Sequence, residues 1–262
     1  MDLGIAGRTA LVLGASGGLG GAIAVRLAQE GANVAVAGRS AEALDVAGRH
    51  IKQAGTTALP LIWDLGDPDG MEPSVAEVER TLGPVDILVN NTGGPPPTPV
   101  AGQDGATWRD SFEKMVLAVI ALTDRVVPGM RERGWGRILT STSSGALSPI
   151  PNLGLSNTLR ASLHAWSKTL ADEVGRDGVT SNVIVPGRIA TDRTRFLDER
   201  RAEREHRSVD EVARASAATM ALGRYGTPDE YADAAAFLCS DRASYITGTV
   251  LRVDGGLIRS VV

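Results

Sequence analysis

The chain has little of what usually marks special chemistry. It holds 1 cysteine, Cys239, and 3 histidines in 262 residues. A single cysteine excludes an intrachain disulfide and fits a reducing compartment. No group of His, Cys or carboxylate residues has metal-ligand spacing, so no metal is expected. Aromatic residues make up only 4% of the chain. No apolar stretch approaches the roughly 20 residues that cross a bilayer, so no membrane association is expected. Positive charge is not in excess, and a net charge of −4 argues against a nucleic-acid binder with its concentrated basic face. The start, Met1-Asp2-Leu3-Gly4, lacks the basic and then apolar pattern of a signal peptide, so a cytoplasmic location is expected.

What is present suffices for one ordinary globular domain over residues 1–262, with 43% hydrophobic and 22% charged content. Thr9–Leu13, Asn33–Ala37, Ala58–Ile62, Val85–Asn90, Arg137–Ser141, Thr180–Val185 and Val250–Val253 read as strands. Between them, helical patterns cover Gly18–Gln29, Met71–Leu82, Trp108–Arg133, Leu155–Gly175 and Asp229–Leu238. Gly31 is placed to close the first helix as its C-terminal cap. This alternation predicts an α/β fold: a doubly wound parallel sheet flanked by helices, built from right-handed crossovers.

The first strand–loop–helix unit reads Gly14-Ala15-Ser16-Gly17-Gly18-Leu19-Gly20. Gly14 allows a sharp turn, Gly18 allows the backbone to approach a pyrophosphate, and Gly20 allows the helix to pack on the sheet. The helix N-terminus then offers free N–H groups and a positive dipole end to phosphates. The second strand ends in Gly38-Arg39-Ser40 with no carboxylate to hold the ribose diol of NAD. Gly38 leaves room for a 2′-phosphate and Arg39 is a bidentate partner for it, which favours NADP(H) over NAD(H). Asp64-Leu65 follows the third strand, where the adenine edge is expected.

These residues resemble the short-chain dehydrogenase/reductase family over nearly the whole chain. The matching pieces are Gly14…Gly18…Gly20, Asn90-Asn91-Thr92-Gly93, Gly136-Arg137-Ile138…Ser143, Asn182…Pro186-Gly187…Thr191 and Ile246-Thr247-Gly248…Val253-Asp254-Gly255-Gly256. The resemblance implies a single-domain Rossmann-type fold and a nicotinamide cofactor lined also by Ser16, Leu19, Asn91, Gly93, Pro186, Gly187, Ile189 and Thr191. It implies that Asn90 braces the sheet, that a substrate lid lies around residues 190–225, and that the protein forms a homodimer or homotetramer.

The chemical positions depart from the family pattern of Asn, Ser, Tyr and Lys. The serine aligns with Ser143, in a run where Ser141 and Ser144 leave the register open. The tyrosine position is Ser156, the lysine position is Arg160, and the asparagine falls on Met115. Leu13 stands where the family usually has threonine. A serine hydroxyl is a far poorer acid than a phenol, and arginine hardly releases a proton. Ser143, Ser156 and Arg160 are therefore the candidate catalytic residues, with Arg160 also meeting the cofactor ribose. His164, one helical turn beyond Arg160, is a further candidate proton donor through water.

Asp192 to Arg207 is densely charged and reads as a solvated helix with i,i+4 pairs, or as a lid for an anionic substrate met by Arg188 and Arg193. Pro95-Pro96-Pro97 would stiffen the opposite wall, and Cys239 at an apolar helix end reads as buried and inert. The expected activity is NADP(H)-dependent hydride transfer between a small carbonyl compound and its alcohol, with an atypical proton relay. The alternative is a non-catalytic NADP(H)-binding protein, either a sensor or an inactive subunit of a family assembly.

Overall fold

In the computed structural model, which describes residues 1–261, each β-rich run of the sequence becomes a strand of one parallel sheet. The strands are β1 (Thr9–Leu13), β2 (Asn33–Gly38), β3 (Ala58–Ile62), β4 (Ile87–Asn91), β5 (Gly136–Ser141), β6 (Val179–Pro186) and β7 (Val250–Val253). Their spatial order is β3-β2-β1-β4-β5-β6-β7, with the reversal between β1 and β4 that defines a doubly wound sheet. Observed ends differ from the sequence expectation by two residues at most.

The strands alternate side chains between two cores. Val12, Val34, Val36, Val89, Leu139 and Ile184 face α1 (Gly18–Gln29) and α9 (Pro228–Leu238), which supply Ile23, Leu27 and Ala235. Leu11, Leu13, Ala35, Leu88 and Ile138 face the other way. There they meet Val75 and Val78 of α3 (Met71–Leu82), Leu122 and Val126 of α5 (Ala118–Glu132), and Leu170 and Val174 of α6 (Gly154–Val174). Burial on both faces explains the near-continuous apolar strands. Leu13, in place of the family's threonine, belongs wholly to this second core.

Three features depart from the expected elements. The helix α2 (Ala41–Gln53), capped by Ser40 through a bond from the Ala43 amide, joins β2 to β3. The long pattern Trp108–Arg133 is not one helix. It divides into α4 (Gly105–Phe112), a π-helical turn at Glu113–Leu117, and α5. A π-turn inserts a residue into the i→i−4 ladder and rotates the face that follows. The charged segment forms α7 (Asp192–Glu205), followed by α8 (Val209–Ala217), whose capping box joins Ser208 to Glu211.

Candidate active site

The C-terminal ends of β1, β4, β5 and β6 converge where the sheet order reverses, the usual ligand crevice of an open parallel sheet. Gly14 has φ +59° and Gly18 φ +53°, conformations that favour glycine. A Cβ on Gly14 would meet Asn91 Nδ2 at 2.8 Å, because that amide donates to the carbonyls of Leu13 and Gly14, each at 3.3 Å. Asn91 therefore moulds the glycine loop from β4. Gly20 lies under the same loop, where a Cβ would fall 2.9 Å from the Gly14 carbonyl carbon.

A Cβ on Gly17 or Gly93 would meet no atom within 4 Å, so backbone is open to a ligand at both. A Cβ on Gly38 would collide with Ser16 Oγ, which seats that hydroxyl against the end of β2. Arg39 is exposed beside them and makes no ion pair among the described residues. Thr191, the N-cap of α7, has its methyl 3.8 Å from the point a Cβ on Gly18 would occupy. Ile189 is buried and bridges to Gly226, while the Gly187 amide donates to the Val253 carbonyl at 2.9 Å. Pro186 ends β6 beside them. Asp64 is exposed and accepts from the Gly66 amide at 3.0 Å, and Leu65 is half-buried beside it. Open backbone at Gly17 and Gly93, a helix N-terminus between them and an unpaired arginine fit a dinucleotide with an added phosphate. A cavity of about 340 Å³ borders this cradle between α1 and α2, along Ser16, Gly17, Gly18, Ala43, Ala47 and His50.

The three serines of the 141–144 run have different surroundings, because β5 ends at Ser141 and a turn follows. Ser141 turns its hydroxyl to the α9 face, 2.8 Å from the buried Tyr231 hydroxyl. Ser144 is buried in a short 3₁₀ turn, Ser144–Ala146. Ser143 is half-buried at the start of that turn, and its Oγ accepts from the Gly145 amide at 3.1 Å. Thr142 points to α6, where its hydroxyl is 2.9 Å from His164 Nε2. Burial holds the imidazole below its ordinary pKa, so it is neutral at pH 7.

Ser156 and Arg160 lie one turn apart on the buried face of α6, each 7% exposed. The Ser156 hydroxyl has no hydrogen-bond partner among the described residues. The Arg160 guanidinium donates to the carbonyls of Thr92 at 2.9 Å, Ser141 at 3.2 Å and Gly93 at 3.4 Å. It thereby ties α6 to the ends of β4 and β5. Burial pushes its pKa down to about 10, with the Arg193 charge acting in the same direction, and it remains a cation at neutral pH. Met115 is 3% exposed on the π-turn, packed with Val116, Val119, Leu159 and Leu163, and offers no polar anchor.

Asn90 donates to Thr123 Oγ1 at 3.2 Å and so braces β4 against α5. Its Oδ1, and the hydroxyl of its register neighbour Thr140, are buried without a protein partner, a pair suited to an ordered water. Arg188 is held by the buried Asp198 at 3.3 Å, and Asp198 also accepts from the Tyr225 hydroxyl at 2.8 Å. Arg188 is thus engaged inside the protein, whereas Arg193 reaches across to the Pro95 carbonyl at 3.0 Å. Tyr231 and Asp198 stand out only in the structure, because their partners are 90 and 27 residues distant.

The family model described as enoyl-(acyl carrier protein) reductase matches residues 14–258. The chain is 36% identical over 254 residues to the 3-oxoacyl-[acyl-carrier-protein] reductase FabG of Escherichia coli (strain K12), covering 96% of this chain and 97% of that protein. It is 36% identical over 253 residues to dehydrogenase/reductase SDR family member 4 of Bos taurus, covering 95% and 86% respectively. The crystal structure of L-sorbose reductase from Gluconobacter frateurii, complexed with NADPH and L-sorbose, matches with a TM-score of 0.94 at 33% identity over 100% of both chains. With this sheet order, this glycine cradle and these relatives, the chain belongs to the short-chain dehydrogenase/reductase family of oxidoreductases.

Proposed function

We propose that the protein is an NADP(H)-dependent oxidoreductase that interconverts a small carbonyl compound and its alcohol, with Ser156 and Arg160 replacing the usual proton relay. When bound, the nicotinamide supplies the hydride. Ser143 and Ser156 hydrogen-bond the carbonyl oxygen and polarise it. Arg160 holds a fixed positive charge near the oxyanion that develops, a form of electrostatic stabilisation that needs no proton transfer from the arginine. Water supplies the proton, because a serine hydroxyl is too weak an acid. Orientation of the reacting carbon supplies most of the acceleration. The segment 190–225, which holds α7 and α8, is the lid, and the enzyme works in the cytoplasm as a homodimer or homotetramer.

One observation carries this reading: the hydroxyl of Ser156, with no hydrogen-bond partner among the described residues, lies one turn from a buried cation on the same face of α6. For the cofactor, Ser16, Gly38 and the unpaired Arg39 support NADP(H). A second reading, a non-catalytic NADP(H)-binding protein, is favoured by the apolar setting of Met115.

NADPH depletion over a panel of aldehydes, ketones and diketones separates the two. The natural protein is compared with a Ser156→Tyr, Arg160→Lys double variant. Turnover by the natural protein is the expected result. Turnover only by the variant would show a sound pocket that has given up its chemistry, and would favour the binding protein.

A further inference from the structure

Of the arginines from 188 to 207, all but Arg193 and Arg204 pair with a carboxylate among the described residues. Arg195, Arg200, Arg201 and Arg207 pair with glutamates of their own segment, and Arg188 pairs with Asp198. Arg193 pairs with no carboxylate among the described residues. Its guanidinium leaves α7, donates to the Pro95 carbonyl at 3.0 Å and lies 5.5 Å from the Phe196 ring centroid. A Cβ on Gly94 would sit 3.3 Å from Arg193 Nη2 and 3.9 Å from Arg160 Nη2. Two guanidinium groups, one from the lid and one from the catalytic helix, thus converge over one glycine.

Like charges brought together are unfavourable unless an anion joins them. Among the described residues no acid does so: both arginines donate only to backbone carbonyls. The Arg193 charge also lowers the Arg160 pKa, so the two feel each other. Guanidinium groups are matched in geometry to a carboxylate, and the backbone beside the pair is open at Gly93, where a Cβ would meet no atom within 4 Å.

We propose that Arg193 and Arg160 form a clamp for a carboxylate carried by the substrate, which makes the enzyme selective for short oxo acids over uncharged carbonyl compounds. This rests on the hydride-transfer reading of the same site. The oxo acid gains a hydride at its carbonyl carbon and a proton from water at its oxygen. The products are the hydroxy acid and the oxidised nicotinamide, and the carboxylate itself is unchanged. The cofactor pyrophosphate is the other anion within the crevice, and the test separates the two sources.

The test compares acetoacetate with methyl acetoacetate, and pyruvate with methyl pyruvate, in wild type and Arg193→Gln. Wild type is expected to favour each acid by about tenfold or more in kcat/KM. In Arg193→Gln the acid-to-ester ratio in kcat/KM should fall about tenfold, with NADPH affinity, read by fluorescence, within about twofold. Equal use of acid and ester by wild type would overturn the clamp. So would a variant that weakens NADPH while keeping the acid-to-ester ratio, since the pair would then serve the pyrophosphate. Calorimetric titration of acetoacetate in the presence of NADP⁺ reads the clamp without turnover. Binding that Arg193→Gln abolishes, in a protein that reduces nothing, would keep the clamp and overturn the reductase reading.

Discussion

At the scale of the residue, a cradle of glycines stands beside a helix, α6, whose buried face carries Ser156 and Arg160. The positions that hold the chain around a dinucleotide are legible directly, because each is a glycine whose backbone angle or lack of a side chain is required. Gly14, Gly18 and Gly20 announce a phosphate cradle by their spacing between a strand and an amphipathic helix, and the structure gives Gly14 and Gly18 positive φ. The part of Asn91 is not legible in the same way. Its amide bonds carbonyls 77 and 78 residues earlier, a contact that only sheet pairing creates. Ser143 is distinguished from Ser141 by position: Ser141 ends β5, whereas Ser143 lies beyond the strand and caps the 3₁₀ turn Ser144–Ala146. Arg39 offers the sharpest residue-scale prediction. Its guanidinium has no acidic partner, and Ser16 Oγ packs against Gly38 beside it. Arg39→Ala should weaken NADPH binding by about tenfold to a hundredfold while leaving NADH within a small factor, as expected for loss of a charge-assisted bidentate contact. Titration of both cofactors by nicotinamide fluorescence reads this, and equal losses would remove the 2′-phosphate assignment.

At the scale of the element, the strands and the first helix are specified by local pattern, whereas the middle helices are shaped by tertiary demands. Trp108–Arg133 carries a helical period from end to end, yet a π-turn interrupts it at Glu113–Leu117. Continuity of hydrophobic period gives no warning of one extra residue in the ladder. The helix α2 carries the full helical period, with Leu44, Ala47, Gly48 and Ile51 buried at i, i+3, i+4 and i+7 behind the Ser40 cap, and is legible in the sequence. In α8 the signal is present as Ser208-x-x-Glu211, a capping box at the start of a short element. The segment that holds α7 and α8 depends on one buried carboxylate. Asp198 is 2% exposed and accepts from both Arg188 and the Tyr225 hydroxyl. Asp198→Ala leaves two half-buried donors without an acceptor and should cost about 2 kcal/mol in urea denaturation. Amide exchange should rise over residues 192–217 and stay unchanged in the sheet. Protection of α7 and α8 equal to wild type would show that the surface pairs alone hold the lid.

At the scale of the whole molecule, the sheet is the rigid body to which every functional group is anchored. Arg160 bonds carbonyls at the ends of two strands, Ser143 follows β5, and Thr191 follows β6. Opening the sheet and losing the site should therefore be one event, and Cys239 provides a reporter of it. The thiol is fully buried at the end of α9, within the core shared by α1 and the central strands. Burial pushes its pKa up to about 12, so in the folded state it is neither accessible nor ionised. Reaction with a chromogenic disulfide should then be slow in native buffer and rise with urea along the global unfolding curve. A ligand that binds only the folded chain must slow that reaction by mass action. NADPH at 100 times its dissociation constant should reduce the labelling rate by about a hundredfold, while NADH at the same concentration should do far less. Labelling that is fast in native buffer would place the thiol at an open surface and contradict the packing of α9. Labelling that is slow but indifferent to NADPH would mean that the α9 core opens without disturbing the cofactor cradle, so that the two ends of the sheet are not one cooperative unit.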